Sequence, residues 1–557
     1  MQEKYSLDLK YFFASFVVLS LLWFNISYYS SSMVGIIALL AYMIFVGLWI
    51  GRLLFSEDNV LSRGLFGIMV VVCWVIVSEG ALVVFKRFTS ESQFLPLLLL
   101  PFVLLVSGLI IRRHGNGEIT REYRERVNGR YGLGDFVLVI VFMAGFLGSL
   151  LSALSARTDA MLFSIWQVIP PYFWIFMFVT LISFVFLQKQ IRDKPYGFEV
   201  SLFFGFLIAF LFFGLMVLVV KVSFDPDVWL DLAYIRLIFN RGGLDLTGGL
   251  IVEESGYQAF LATFAKSMGN TFDLTSVQWV TWLWSPLMAS IYIPFITYRF
   301  LRVFHSEDKV SHTFLLGVIG FMLFPSFWLM SVSVAEMVGD IFLYVNLFFV
   351  TIFLSDVKPY RGLFLVVLTT MAAYMLEPIA GTFALMADLV AISFHRKIWN
   401  MKKLRYVFLA GTATLALSLF PSEFTWVETL LYKGTPLQLS SISLGQTANF
   451  WLSPVWLPNL YTADSIMSQN FNWVRYAFLI AGILALMSLK ANDKGRTKAW
   501  LIFTIIIFWV GWFTTVNGIG NLPFSTQRFA RDVDLALLPL ASLVVYKISA
   551  RILGWKD

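Results

Sequence analysis

Residues 133–155 read LGDFVLVIVFMAGFLGSLLSALS, 23 residues with one charge, Asp135, near their start. A helix of that length is about 34 Å long at 1.5 Å per residue. That is enough to cross the roughly 30 Å hydrocarbon core of a bilayer. The run does not alternate apolar with polar residues, as a barrel strand would. Similar runs recur along the whole chain, near 11–29, 32–54, 63–85, 93–111, 167–188, 198–222, 276–298, 310–330, 341–355, 362–376, 379–394, 406–421, 473–489, 499–515 and 530–549. The expected fold is therefore an all-α polytopic membrane protein of about 16 transmembrane helices. The pair 362–376 and 379–394 is tight enough to be a hairpin that does not fully cross. No small-residue cleavage site follows the first span, so it is expected to be retained rather than removed as a signal peptide.

The composition agrees with these spans. Of the 557 residues, 59% are hydrophobic, 17% aromatic and only 13% charged, where a soluble domain carries about 25% charged residues. The polar stretches between spans stay below roughly 55 residues, about the floor for an independent fold, so an attached soluble catalytic domain is not expected. A single cysteine, Cys73, excludes an internal disulfide framework and a cysteine-based metal cluster.

Lys and Arg collect on the cytoplasmic side of membrane proteins. With a cytoplasmic N-terminus, 30 of the 41 basic residues fall in inside segments, alternating without a break along the chain. Both termini are then expected to be cytoplasmic, in the plasma membrane. The net charge of +7 reads as topology charge, and the cluster at 112–130 as a contact with anionic lipid. No nucleic-acid partner is implied.

Two outside segments are long, 223–275 and 422–472. Residues 256–268 and 423–431 are amphipathic, which suits helices lying in the membrane interface as well as ordinary loops packed on the bundle. All four histidines (114, 305, 312 and 395) fall in or beside inside loops. Any base on the outer face must therefore be a carboxylate.

Outer carboxylates gather at helix ends. One group is Ser223-Phe-Asp225-Pro-Asp227-Val-Trp229-Leu-Asp231, and another is Ser331-Val-Ser-Val-Ala-Glu336-Met-Val-Gly-Asp340. Glu253, Glu254, Glu377, Glu423, Glu428 and Asp464 complete the set. A third feature is Gln527-Arg528-Phe529-Ala-Arg531 at the mouth of the last span. These two Arg run against the charge rule, and their rigid donor forks suit a lipid phosphate. The simpler alternative pairs Arg531 with Asp532 or Asp534 and lets Arg528 snorkel to headgroups. Glu79 and Asp388 are the ionisable residues expected inside spans.

The stretch from Asp225 through Asp227 and Trp229 to Arg236, ending in Asn240-Arg241-Gly242, resembles the first-external-loop motif of the GT-C membrane glycosyltransferases. It is most similar to the oligosaccharyltransferase catalytic subunits and their archaeal relatives. In that motif an Asp follows the module's first helix and precedes an aromatic pair. Asp227 with Trp229 fits best, and Asp225 is the second candidate. Ser333-Val-Ala-Glu336-Met-Val-Gly-Asp340 resembles the second acidic motif of those enzymes, and Gln527-Arg528-Phe529 their late Arg-Phe. Gly256-Tyr257 and Leu376-Glu377-Pro378 are weaker likenesses.

The resemblance covers about 198–550. It divides the chain into an N-terminal transmembrane module of about six helices, 1–197, and a GT-C-like transmembrane module, 198–557. It implies a sugar moved from a polyprenyl-phosphate donor to an acceptor hydroxyl, on a lipid-linked glycan or a glycoprotein, at the extracytoplasmic side. Asp227 or Asp225 would be the base. Asp340, Glu336, Trp229 and Arg236 would position donor and acceptor, and Arg528 and Arg531 would bind the donor phosphate. Such enzymes usually need no metal. Asp557 follows directly on the last span, without the soluble acceptor-reading domain of an oligosaccharyltransferase, so a smaller relative that moves one sugar is expected. The alternatives are a transporter or flippase of lipid-linked glycans, and a catalytically inactive scaffold subunit.

Overall fold

The computed structural model describes residues 2–114 apart from 57, 85–87 and 90–91; 131–159; 167–221 apart from 192–193 and 195; 226–241; 255–305 apart from 270–271; 335–394 apart from 356–358; 500–507; and 526–552, with a few single positions between 480 and 509. The expected spans near 310–330 and 406–421 lie outside the described residues, as do the second long loop at 422–472 and nearly all of 473–489. Asp225, Glu253, Glu254 and most of the basic cluster at 112–130 lie outside them too.

Among the described residues the fold is helical, with one isolated parallel bridge between Thr158 and Val220. We label the helices in chain order: α1 Gln2–Phe24, α2 Ser32–Leu54, α3 Val60–Val84, α4 Leu95–His114, α5 Leu133–Ser155, α6 Tyr172–Ile191, α7 Gly197–Phe213, α8 Leu215–Val219, α9 Pro226–Arg241, α10 Ser255–Ser267, α11 Leu274–His305, α12 Ala335–Ser355, α13 Pro359–Leu376, α14 Pro378–Phe394 and α15 Thr526–Ile552. Seven of them, α1, α2, α3, α5, α6, α11 and α12, are long and apolar enough to cross a membrane.

The packing is that of a lipid-embedded bundle. Phe13, Val17, Leu21 and Phe24 form an exposed apolar stripe along α1, and Trp174, Phe178, Ile182 and Phe186 form another on α6. The polar residues turn inward. Ser149 and Ser152 of α5 and Thr180 and Ser183 of α6 are buried, each bonded to a backbone carbonyl one turn back. In lipid, apolar surface does not drive helices together, so close approach of backbones does. The pair α2–α3 shows this. A Cβ at Gly67 would lie 1.7 Å from the Gly47 carbonyl oxygen, and one at Gly51 2.0 Å from that of Arg63. Only glycine allows this contact.

Ring contacts then tie α3 to the later helices. Phe66 meets Phe295 of α11 at 4.8 Å and Phe348 of α12 at 5.5 Å between centroids. Tyr292 Oη donates to the Leu65 carbonyl at 2.9 Å. Residues 1–197 thus enter the structure in two places. Helices α1–α4 pack on one another and on α10 and α13, with α3 also meeting α11 and α12 through side chains, whereas α5 and α6 pair with each other and touch α7 and α8.

The interhelical bonds sort the chain into two ends. At one, Arg299 pairs with Asp58 at 2.6 Å, Arg361 donates to the Leu54 carbonyl at 2.7 Å, Asn59 donates to Glu199 at 3.3 Å and Lys194 pairs with Asp135. All belong to segments or span ends that the charge pattern assigns to one side. At the other end, the α1–α2 turn meets the C-terminus of α10. There Asn25 Nδ2 donates to the Ser267 carbonyl at 2.9 Å, across 242 positions of sequence.

The short helix α10 departs from the interfacial reading. All its residues but Lys266 are buried, enclosed by α2, α3, α9 and α13. Its 13 residues measure about 20 Å, too short to cross. Its polar positions face protein rather than headgroups.

Candidate functional site

The hairpin of α13 and α14 turns on one residue, Glu377. Its N–H donates to the Ala373 carbonyl at 2.8 Å and its carbonyl accepts from Gly381 at 3.0 Å, so the helical bonding runs through the turn. Pro378 suits the first position of α14, where an N–H would lack a helical partner. Glycines let neighbours close on the turn. A Cβ at Gly339 would come within 2.6 Å of the Glu377 Cβ, and one at Gly256 within 2.7 Å of the Met375 Cβ. The N-terminal part of α12 is thereby held against Glu377, and that of α10 against Met375 two residues before it.

Glu336 and Asp340 stand four residues apart on α12 and so share a face. Onto that face comes Arg531 of α15. Its Nε forms an ion pair with Asp340 Oδ2, and its Nη2 lies 3.9 Å from Glu336 Oε2. The Arg531 and Asp340 side chains are each 3% exposed, so water screens the pair little. Arg531 therefore reaches 191 positions along the chain, beyond the neighbouring acids that the sequence offers it. Asp532 also contacts the Asp340 side chain, and the Glu377 charge acts on Asp532. Two carboxylates thus meet one described guanidinium, with Asp532 against Asp340 and Glu377 near Asp532, and the Asp532 Oδ1 is buried with no hydrogen-bond partner among the described residues.

A second acid lies on α9. Asp231 sits on that helix's buried face with Val228, Leu232, Ile235 and Ile238. Its Oδ1 accepts from Gln258 Nε2 of α10 at 3.1 Å. Asp227 occupies the first turn of α9, one turn ahead of Asp231. Trp229 and Arg236 stand on the exposed face of the same helix. Arg528 occupies the first turn of α15, one turn ahead of Arg531.

The structure thus brings Glu336, Asp340 and Arg531 together and adds Asp532 and Glu377 to them. It separates Trp229 and Arg236 from Asp231 by helix face. The Asp231–Gln258 pair has no local sequence signal, because only the packing of α10 on α9 creates it. Glu79 of α3 is fully buried and faces Thr263 of α10. Lys266, at the other end of α10, lies 4.8 Å from the Phe239 ring centre, and burial lowers its pKa. Chemically, this end of the bundle holds a cluster of acidic groups in a low-dielectric setting, with Arg531 fixing two of them. No protein-family model, curated protein sequence or solved structure matches the chain.

Proposed function

We propose that the chain is an integral-membrane glycosyltransferase of the GT-C type. It has about 16 spans, cytoplasmic termini and an extracytoplasmic site in the plasma membrane. It transfers a sugar from a polyprenyl-phosphate donor to an acceptor hydroxyl on a lipid-linked glycan or glycoprotein. The observation that supports this reading best is the meeting of α10, α12 and α15 around Glu377. Sequence groups singled out separately, at 336–340 and 528–531, become neighbours there, and α9 with Asp227 adjoins through α10.

In this mechanism Asp227, or Asp225 beside it, accepts the acceptor's hydroxyl proton. The hydroxyl oxygen bonds to the anomeric carbon with inversion as the carbon–oxygen bond to phosphate breaks. The polyprenyl phosphate leaves with the electron pair. Arg528 stabilises the charge growing on the leaving phosphate, the usual role of such a clamp. Arg531, engaged with Asp340, fixes the acids of α12 so that Asp340 or Glu336 orients the acceptor. Losing a catalytic base costs 10²–10⁴-fold in rate. Sugar transfer in membranes should therefore fall by that factor in Asp227→Asn or Asp225→Asn, and wild-type rates in both variants and in the double would sink the assignment.

One observation favours the transporter reading instead. A polar cluster lies halfway along three helices, where transporters place their sites. Vesicles that move a lipid-linked glycan across the membrane but label no acceptor would decide for it.

A further inference from the structure

Halfway along α12, α13 and α14, well below the Glu377 turn, four oxygens surround one amide nitrogen. Asn346 Nδ2 lies 3.2 Å from the Val366 carbonyl, 3.2 Å from Thr369 Oγ1, 2.8 Å from Thr370 Oγ1 and 3.3 Å from Asp388 Oδ1. Thr370 Oγ1 also donates to Asp388 Oδ2 at 2.6 Å. Asn346 is fully buried and Asp388 is 3% exposed. An amide nitrogen has two hydrogens, so it cannot satisfy four oxygens. Meanwhile the Asn346 Oδ1 is buried with no hydrogen-bond partner among the described residues. Among the same residues no cation pairs with Asp388. A carboxylate in that setting needs a compensating charge, because burying it alone costs many kcal/mol.

We propose that Asn346, Thr369, Thr370 and Asp388 form an intramembrane binding site for Na⁺. The donor set is all oxygen, which suits a hard cation. Turning the Asn346 amide replaces Nδ2 with the unpartnered Oδ1 and converts a nitrogen-centred cluster into an oxygen cage. The ion supplies the charge that Asp388 lacks. The site does not depend on the transferase reading. Asp340 lies six residues earlier on α12, about 9 Å along the helix axis, so ion occupancy and the acid cluster share one rigid element.

Thermal unfolding of the full-length protein in detergent, followed by tryptophan fluorescence, tests this. NaCl is compared with KCl and choline chloride at equal ionic strength and pH. A ligand at 100 times its Kd raises the folded-to-unfolded ratio about 100-fold. Tm should therefore climb with the logarithm of the Na⁺ concentration above its Kd and not with choline. Asp388→Asn should abolish the Na⁺ response. Thr370→Val, which keeps the carboxylate, should weaken it about 10-fold or more in apparent Kd and is read if the first variant fails to fold. A Tm indifferent to Na⁺ overturns the site. So does a Na⁺ response retained in Asp388→Asn, or a Tm that follows pH alone, which would make the compensating charge a proton.

Discussion

The two ends of the bundle both carry charge, on opposite plans. At the end marked by Asp58, each ion pair is one cation against one carboxylate with some access to water. Arg299 and Asp58 are 13% and 17% exposed, and Lys194 and Asp135 are 16% and 6% exposed. At the end marked by Glu377, Arg531 faces Asp340 and Glu336, with Asp532 and Glu377 close behind, and the central pair is 3% exposed. The first plan is what topology requires: basic loops that stay put and are locally neutralised. The second gathers more acidic groups than cations among the described residues and shields them from water. Such an arrangement persists only where the surrounding packing holds it. The difference points to where function belongs.

Removing Arg531 should break this contrast most severely. Arg531→Leu leaves Asp340 and Glu336 uncompensated, and loss of one partner of a buried pair typically costs 3–5 kcal/mol. Unfolding in detergent should show a loss of that size, and a loss below about 1 kcal/mol would mean that the acids are neutralised in some other way. A smaller effect is expected where the turn is assembled. In Gly256→Ala the new Cβ would sit 2.7 Å from the Met375 Cβ, and overpacking of this kind costs about 1–3 kcal/mol. The variant should also move α10 off the turn, which cross-linking of engineered cysteines on α10 and α13 would register as a lower yield. The smallest effect belongs to the other end. In Lys194→Gln, Asp135 still accepts the Gly132 N–H at 2.6 Å and can reach water, so a cost of about 1 kcal/mol or less is expected. If Lys194→Gln proved as damaging as Arg531→Leu, the contrast between the ends would collapse.

Much of the fold was legible because hydropathy is a local property. The run that opens at Leu133 becomes a helix with the same limits, Leu133–Ser155. The tight pair becomes two helices joined by Glu377 alone. The burial of α10 was not legible. An amphipathic helix has the same pattern whether its polar residues meet water or Asp231, and only the packing decides. The site was legible in halves. Glu336 and Asp340 announce a shared face by their spacing, but nothing local ties them to Arg531, since that contact closes a loop of 191 positions. The Asn346 cluster was legible only as Asp388, because Asn and Thr in an apolar run look like any other bundle residues.

The bond from Asn25 to Ser267 has a consequence for synthesis. Asn25 sits in the turn between the first two helices, yet its long-range partner is made 242 residues later. At 5–20 residues per second, that is a wait of roughly 12–48 s. During it Asn25 can keep its bonds within the turn, to the Ser31 carbonyl at 3.1 Å and from the Ser31 N–H at 3.0 Å, while its second amide hydrogen still awaits the Ser267 carbonyl. The first hairpin is therefore inserted well before it can be locked, and the arrival of α10 is the event that closes the early half of the protein.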